Sequence, residues 1–144
     1  MFQRILLATD GSAASAHAAQ LAVDLAKVHG ARLIALYVVD PYPYMGIGES
    51  NPLGLQAYMS AALQHAAEAH EKVQRLCEEA GVPFQPRLAE DLTAASGILQ
   101  AVNLCEADLV VVGSHGRTGI ARLMLGSVAT KVVAESPVPV LVAR

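Results

Sequence analysis

The sequence contains no tryptophan, and aromatic residues make up only 4% of the chain. With so few rings available to stack on an isoalloxazine, a flavodoxin-like electron carrier is disfavoured. Charged residues are also sparse, at 16% against 53% hydrophobic residues, which excludes an intrinsically disordered chain and a coiled coil. Acidic residues outnumber basic ones by thirteen to ten, and the net charge of −3 argues against general binding to nucleic acid or to an anionic membrane surface.

Cysteines and long apolar runs are few as well. Cys77 and Cys105 are the two cysteines, and they form no Cys-x-x-Cys motif, so we interpret them as buried or idle thiols in a reducing compartment. No apolar run reaches the ~18 residues of a membrane span. The apolar run near Met1 is stopped by Asp10, too early for a secretion signal. These absences predict a cytoplasmic protein.

Two kinds of segment alternate along the chain, whose 144 residues suit a single domain spanning 1–144. Short, nearly continuous aliphatic runs are typical of strands buried in a parallel sheet, and longer segments have helical spacing of apolar residues. The predicted strands are Gln3–Thr9, Arg32–Val39, Phe84–Ala89, Asp108–Gly113 and Val138–Ala143. The predicted helices are Ala13–His29, Leu55–Ala80, Thr93–Cys105 and Ser127–Glu135. This order predicts an α/β fold, with a doubly wound, open, five-stranded parallel sheet and helices on both faces.

Proline residues indicate the order of the strands. Pro86 lies in the third predicted strand and Pro139 in the fifth. Because proline cannot donate a ladder hydrogen bond, these two strands belong at the edges, which predicts the order 3-2-1-4-5. Ligands of such a sheet bind where the strand order reverses, outside the carboxyl ends of the strands. We therefore expect the ligand near Ala8–Ser12, Val38–Asp40 and Val112–Gly119.

A cluster of glycines follows the fourth predicted strand. Within fourteen residues stand Gly113, Gly116, Gly119 and Gly126. Glycine allows backbone N–H groups to approach a ligand and tolerates positive φ. The Gly126-Ser127 pair opens the last predicted helix, whose free N–H groups and serine hydroxyl can hold an anion; the alternative is an ordinary serine N-cap. From Leu109 to Ala134 the cations are Arg117, Arg122 and Lys131, with no acid. The sequence thus favours a phosphate ligand.

Several catalytic and binding motifs are missing. There is no G-x-x-x-x-G-K-[ST] motif, and Thr9-Asp10-Gly11-Ser12 follows the first strand where a dinucleotide-binding fold has G-x-G-x-x-G. These absences argue against a fast nucleotidase and a nicotinamide dehydrogenase. No general base or nucleophile is evident, so we assign no catalytic residue. His65 and His70 stand five apart, which does not place two ligands on one helix face, so we predict no metal site built by the protein; Mg²⁺ could accompany a nucleotide's phosphates.

The glycine spacing resembles a known family. Gly113-x2-Gly116-x9-Gly126-Ser127 is similar to the G-2x-G-9x-G-[ST] signature of the ATP-binding branch of the universal stress proteins. The resemblance covers the whole chain, from Asp10-Gly11-Ser12 after the first strand to Ser136–Val142 at the end. It implies an adenine nucleotide alpha hydrolase-like fold and an ATP-binding protein that acts as a nucleotide-dependent regulator in the stress response, through an unknown protein partner.

The resemblance also implies a set of site residues. Asp10 would lie beside the adenosine, the Val38 backbone would pair the adenine edge, and Gly113 would adjoin the ribose. The full set is Ala8, Thr9, Asp10, Val38, Val112, Gly113, Gly116, Arg117, Gly126, Ser127 and Val128. Asp10 could instead be a turn acid or the N-cap of the first helix. Ala129 departs from the family, which often has a hydroxyl there.

Other functions remain open at this stage. A stress protein dimer that binds no nucleotide and acts through partners is one alternative, and a slow ATP-hydrolysing enzyme is another. An ATP pyrophosphatase would need a further Ser/Gly-rich loop after the first strand, and Asp10–Ser15 has too little glycine for one.

The last strand, Val138–Ala143, predicts a subunit interface. Pro139 has no N–H, so we expect it to face away from the fourth strand, and Leu141 and Ala143 with it, because N–H and C=O groups alternate in direction along a strand. The ladder to the fourth strand would then be made by Val138, Val140 and Val142. The resulting outer edge is aliphatic and uncharged, and exposed edges of this kind aggregate. We therefore expect a homodimer in which this strand pairs with its two-fold copy, as the resemblance also implies.

The longest predicted loop is Asp40–Gly54, with fifteen residues. Loops of this length usually have a function. Because it leaves the second strand at the ligand end, it could cover the base as a lid, or it could be a plain crossover.

Overall fold

The computed structural model describes residues 1–40, 52–90, 92–115 and 125–144. The elements alternate between strand and helix, as the sequence predicts. They are β1 (Arg4–Ala8), α1 (Ala13–His29), β2 (Arg32–Val38), α2 (Pro52–Ala80), β3 (Phe84–Ala89), α3 (Ala94–Leu104), β4 (Leu109–Gly113), α4 (Ser127–Glu135) and β5 (Val140–Ala143). Among these helices, none combines the length and the apolar character needed to cross a membrane.

The strands form one parallel sheet in the order β3-β2-β1-β4-β5, so the predicted topology is confirmed. Helices α1 and α2 cover one face, where Val23 and Val73 pack on the sheet. Helices α3 and α4 cover the other, with Ile98 and Val132 against it. The chain reverses direction across the sheet between β1 and β4, which places the switch point there.

The core lies along the central strands. Ile5, Leu6 and Leu7 of β1 are fully buried, because their side chains alternate between two covered faces. Burial of each such side chain contributes roughly 1.5–3 kcal/mol. Cys77 belongs to this core, and burial raises the pKa of its thiol to about 11. Cys77 and Cys105 are both free, with Cys105 only half-buried.

The start of α2 corrects the predicted loop over Asp40–Gly54. The helix begins at Pro52, so residues 52–54 are helical. Proline suits the first turn of a helix, where its missing N–H would have no partner and its φ is already helical. Residues 41–51 of the predicted lid lie outside the described residues, and the lid remains a prediction.

At one edge of the sheet, Pro86 behaves as predicted. Leu33 donates to the Pro83 carbonyl and Val39 to the Ala89 carbonyl, at 2.9 and 2.8 Å. Odd-numbered residues of β3 therefore face β2, and Pro86 faces outward. The ladder loses no donor there.

At the other edge, the predicted direction of Pro139 is wrong. Val110 donates to the Pro139 carbonyl at 3.0 Å, and Ser114 donates to the Ala143 carbonyl at 2.8 Å. The alternation then turns Leu141 toward β4 as well, and the main-chain groups of Val140 and Val142 point to the open edge. Pro139 is tolerated because β5 begins at Val140: the proline precedes the strand and contributes only its carbonyl to the ladder.

Candidate functional site

The carboxyl ends of β1, β2 and β4 meet the start of α4 at the switch point. Thr9 donates to the Leu36 carbonyl at 3.0 Å and so holds the end of β1 against β2. Gly126 donates to the Ser114 carbonyl at 2.7 Å and so holds the start of α4 against the end of β4. The residues placed at this edge are Ala8, Thr9, Asp10, Val38, Val112, Gly113, Gly126, Ser127 and Val128. Gly116 and Arg117 lie outside the described residues, and their roles remain predictions.

The turn between β1 and α1 holds the Asp10 carboxylate. Its Oδ1 accepts from the Ser12 N–H at 2.9 Å, so Asp10 closes an Asx turn. The N-cap of α1 is Ser12, whose Oγ accepts from the Ser15 N–H at 3.3 Å. The alternative in which Asp10 caps the helix is therefore wrong; Asp10 closes the turn through Oδ1, and its ligand role remains a prediction. The half-buried carboxylate keeps its second oxygen for a further donor.

The end of β2 presents backbone groups to the cleft. Val39 donates to the Ala89 carbonyl of β3, and the Leu36 carbonyl accepts from β1. Alternation therefore turns the N–H and C=O of Val38 toward β1, beyond the last residue of that strand, Ala8. These groups stand where a planar ligand edge could pair with them.

Gly97 supports Val38, and the sequence analysis missed it. A Cβ on Gly97 would lie 2.9 Å from Cγ2 of Val38 and 3.5 Å from Cβ of Ala89. Only glycine lets α3 approach the ends of β2 and β3 this closely. A glycine in a helix interior costs about 1 kcal/mol relative to alanine. Its presence inside a predicted helix therefore indicates a close contact, and this signal could have identified Gly97 from the sequence.

The start of α4 has backbone N–H groups that no side chain among the described residues caps. Its N-cap is Gly126, which has no side chain to cap the helix. The Thr130 N–H donates to the Gly126 carbonyl at 2.9 Å and opens the helical ladder. The preceding N–H groups, those of Ser127, Val128 and Ala129, therefore have no acceptor within the helix. Together with the helix dipole, they form a positive site suited to a phosphate.

The structure shows that glycine is required at position 126 for lack of space and not for a positive φ. Its φ is −61°, which any residue adopts, so positive φ is not what the position requires. A Cβ there would lie 2.9 Å from the Ser114 carbonyl oxygen and 3.6 Å from Cα of His115. Gly126 is needed because the helix start approaches the β4 backbone closely.

The serine at 127 is not an N-cap, so that alternative is wrong. Ser127 is the first helical residue and its side chain is exposed. The neighbouring Ala129 is buried in the core beneath α4, so its methyl group faces away from the ligand edge.

The charged and titratable groups around the start of α4 are few. Lys131 lies 4.0 Å from Glu135, and both side chains are half exposed, so this pair has little energetic weight. Arg117 and Arg122 lie outside the described residues. Ser114 Oγ is 3.0 Å from Nδ1 of His115. In the ranges that the structure covers, no three His, Cys, Asp or Glu side chains gather into a metal-binding group. The described part of this edge thus combines backbone N–H groups at the start of α4 with the Asp10 carboxylate and the main-chain groups of Val38.

Sequence comparisons agree over the full chain. The model of the universal stress protein family matches residues 1–144. A universal stress protein from Thermus aquaticus is 39% identical over 146 residues, which cover both chains completely. Another, from Methanocaldococcus jannaschii, is 35% identical over 144 residues and covers all of this chain and 83% of that protein.

Solved structures share the fold. UspA from Lactobacillus plantarum is 27% identical, with a TM-score of 0.81 over 99% of this chain and 97% of that one. A universal stress protein in complex with cAMP is 23% identical, with a TM-score of 0.74 over 99% and 97%. An Archaeoglobus fulgidus protein in complex with dAMP is 17% identical, with a TM-score of 0.70 over 99% and 98%. A sheet ordered 3-2-1-4-5, a family model matched from end to end and relatives above 30% identity together show that the chain belongs to the universal stress protein family.

Proposed function

We propose that this protein binds ATP at the carboxyl edge of its sheet and acts as a nucleotide-dependent regulator with little or no catalysis. The open start of α4 carries the proposal: it holds uncapped N–H groups beside β4, on the same edge as the Asp10 carboxylate. Neighbours with the same fold have been solved with cAMP and with dAMP, which supports an adenine nucleotide as the ligand.

Each part of ATP has a partner of suitable chemistry. The Val38 backbone would pair the adenine edge, and Asp10 would accept from the ribose hydroxyls, close to Gly113. The phosphates would lie on the N–H groups of Ser127 and Val128, with Gly116 and Arg117 from the predicted signature. Mg²⁺ would accompany the phosphates, which are its usual ligands alongside water.

Native mass spectrometry followed by calorimetric titration tests this proposal. We expect the purified protein either to retain an adenine nucleotide or to bind added ATP, with a higher melting temperature when ATP is present. GTP serves as the control, because guanine presents an acceptor (O6) and a donor (N1–H) where adenine presents a donor (N6–H) and an acceptor (N1), so the fixed N–H and C=O of Val38 should discriminate against it. An absence of both heat and thermal stabilisation with ATP would contradict the proposal and favour a stress protein that acts through partners alone.

Hydrolysis should be slow, because no group at the described part of the edge is placed to activate water. We expect phosphate release far below the ~10 s⁻¹ of an average enzyme. The Gly126→Val variant, purified in the same way, is the control for contaminating ATPases. Release of several phosphates per second by the wild type, absent from this variant, would show that the protein is an enzyme.

We also propose that the protein forms a homodimer through its C-terminal strand, Val138–Ala143. Val140 and Val142 direct their main-chain groups to the open edge, and their side chains are half-buried and uncharged. An unprotected aliphatic edge is an aggregation hazard, and pairing with a two-fold copy covers it. A regulatory protein partner would then bind the dimer and not a single subunit.

The corrected direction of β5 determines which variants test the dimer. Val142→Pro removes an outward N–H, so we expect a folded monomer. Leu141→Pro is the matched control: it removes an N–H that faces β4, so we expect loss of stability by about 3 kcal/mol or more, whatever the subunit number. Light scattering at tens of micromolar and thermal melting separate the two results. A monomeric wild type, or a fully dimeric Val142→Pro, would contradict this interface.

We place the protein in the cytoplasm. The Cys77 thiol is enclosed in the core and Cys105 is free, so neither forms a disulfide within the chain. Free thiols of this kind suit a reducing compartment. Fractionation of cells that express a tagged chain tests this placement, and recovery outside the cytoplasmic fraction would contradict it.

A further inference from the structure

Three side chains of helix α2 donate to main-chain carbonyls of β2, of the residues that follow it and of the β1–α1 turn. The Tyr58 hydroxyl donates to the Asp40 carbonyl at 2.7 Å, at the end of β2. His70 Nε2 lies 3.0 Å from the Ala35 carbonyl, and because a carbonyl only accepts, this nitrogen carries a hydrogen. Lys72 Nζ donates to the Gly11 carbonyl at 3.0 Å, across 61 positions of sequence. The last bond reaches the turn that carries Asp10.

The β1–α1 turn is seated tightly on α2. Gly11 has a φ of +76°, which disfavours any other residue. A Cβ at this position would also lie 3.1 Å from Cβ of Ala69, so the turn approaches the helix closely. The Gly11 N–H is occupied as well, since it donates to Oγ1 of Thr9 at 3.3 Å. The turn is therefore constrained at Gly11, and Lys72 contacts it at this residue.

One peptide group connects Lys72 to Asp10. The carbonyl of the Gly11–Ser12 peptide accepts from Lys72, and the N–H of the same peptide donates to Asp10 Oδ1 at 2.9 Å. A peptide plane is rigid, so a bond that fixes its oxygen also fixes the direction of its N–H. An ammonium on the carbonyl also polarises the group and strengthens the N–H as a donor. Lys72 thus acts on the carboxylate without touching it.

We propose that Lys72 is a positioning residue for ribose recognition: through the Gly11–Ser12 peptide, it sets the orientation of the Asp10 carboxylate toward the nucleotide. This inference rests on the proposed ATP site. It differs from a direct phosphate contact, in which Lys72 would act independently of Asp10 and of the ribose hydroxyls. It also differs from a purely structural role, in which a substitution would change stability without discriminating between nucleotides.

The chain offers a matched control on the same helix. Arg75 is an exposed cation three residues further along α2, and it pairs with Glu71 rather than with the turn. Arg75→Met therefore removes the same charge from the same helix and leaves the Gly11 carbonyl untouched. Lys72→Arg keeps a cationic donor within reach of that carbonyl and tests for rescue.

Calorimetric titration with ATP and with 2′,3′-dideoxy-ATP tests the inference. We expect Lys72→Met to weaken ATP binding about fivefold and to leave dideoxy-ATP binding unchanged, because the latter has no ribose hydroxyls for Asp10. Arg75→Met should bind both nucleotides like the wild type, and Lys72→Arg should recover most of the ATP affinity. In an Asp10→Asn background, Lys72→Met should cause no further loss, as expected for residues that act through one contact. Circular dichroism and thermal melting confirm that each variant is folded.

The outcomes separate this inference from the proposed function. If the wild type binds no ATP, the proposed site is wrong and the inference with it. If the wild type binds ATP and Lys72→Met binds it equally well, the inference alone is wrong. Equal losses for ATP and dideoxy-ATP, or a loss that persists in Asp10→Asn, would also overturn it, since either result assigns Lys72 to the phosphates or to overall stability.

Discussion

Two turns at the same edge of the sheet treat their backbone donors in opposite ways. In the β1–α1 turn, the N–H groups of Gly11, Ser12 and Ser15 all donate to side chains of the turn itself. At the start of α4, no side chain in the part of the chain that the structure describes caps the helix. The first turn is closed and holds a carboxylate, whereas the second is open and presents donors. A nucleotide needs both, because its ribose donates hydrogen bonds and its phosphates accept them.

Helix α3 shows that the closed form is the ordinary one in this molecule. Its N-cap, Thr93, accepts from the Ser96 N–H through its hydroxyl, as Ser12 does in α1. Side-chain capping of this kind contributes about 1 kcal/mol to stability. The open start of α4 gives up that contribution, which is typical of a site kept for a ligand.

The largest expected effect comes from closing the open end. Gly126→Val should take ATP binding below detection, because its Cβ would overlap the Ser114 carbonyl and displace the helix start. Loss of the hydrogen bonds to the phosphates, each worth about 1.5–3 kcal/mol, accounts for the effect. Titration calorimetry measures it. Ala134→Val, which introduces the same valine at an exposed position near the other end of α4, is the control and should bind ATP, and retained binding by Gly126→Val would contradict the assignment of the cradle.

Removing the side-chain cap of the β1–α1 turn should lower the stability of the fold. Ser12→Ala removes the cap of α1 and should lower the free energy of unfolding by about 1 kcal/mol. The corresponding decrease in Tm is about 3 °C. Thr93→Ala is the matched control: it should cost a similar amount of stability and leave ATP affinity intact, because α3 begins away from the switch point. Thermal melting without a decrease for Ser12→Ala would contradict the closed turn.

At the start of α4, the Ser127 hydroxyl should contribute to ATP binding and not to the stability of the fold. Ser127→Ala should weaken ATP binding about fivefold, the value of one hydrogen bond, and should leave Tm unchanged because this hydroxyl caps nothing. Ser136→Ala, at the other end of α4, is the converse control. Its hydroxyl bonds the backbone of Val138, so it should change stability and not affinity. A lower Tm for Ser127→Ala would assign this residue a structural role.

The smallest expected effect is a pH dependence of the free energy of unfolding, which arises from α2, the helix that packs against the β1–α1 turn. His70 of α2 has a pKa below 6.5, chiefly because burial penalises the charged ring. The unfolded chain therefore binds the proton more readily, so stability is full above pH 6.5 and falls as the pH decreases toward the folded-state pKa. His70→Gln, which retains a donor for Ala35, should show less of this decrease. Urea unfolding at pH 7 and at pH 5.5 measures the difference, and identical pH profiles for the two proteins would contradict this role.

Local pattern accounts for most of what the sequence analysis predicted correctly. The aliphatic runs identify the strands because a strand covered on both faces must be apolar throughout. Pro86 and Pro139 identify the edge strands because neither can serve a central ladder. The spacing from Gly113 to Gly126 predicts a ligand at the switch-point edge, since the glycines follow β4 directly, and this site stays a prediction. Each of these signals lies within a short stretch of chain.

The correction at Pro139 and the reasons for Gly126 and Gly97 depend on contacts between separate segments of the chain. Pro139 faces β4 because of the register between two strands, and the composition of β5 is compatible with either direction. Gly126 is a glycine because of the Ser114 oxygen, and Gly97 because of Val38. In each case the residue type was visible, but its reason required knowing which backbone would approach it.

The sequence by itself determined the fold class and the strand order, because apolar periodicity and proline act on the local backbone, and through its glycines it predicts the edge of the sheet where a ligand would bind. Only the tertiary structure decided which donors stay open and what holds Asp10 in place. Lys72 has no sequence signal at all: it is one exposed cation on a long helix, and it becomes a candidate for ribose recognition only because folding brings it to the Gly11 carbonyl, 61 residues away.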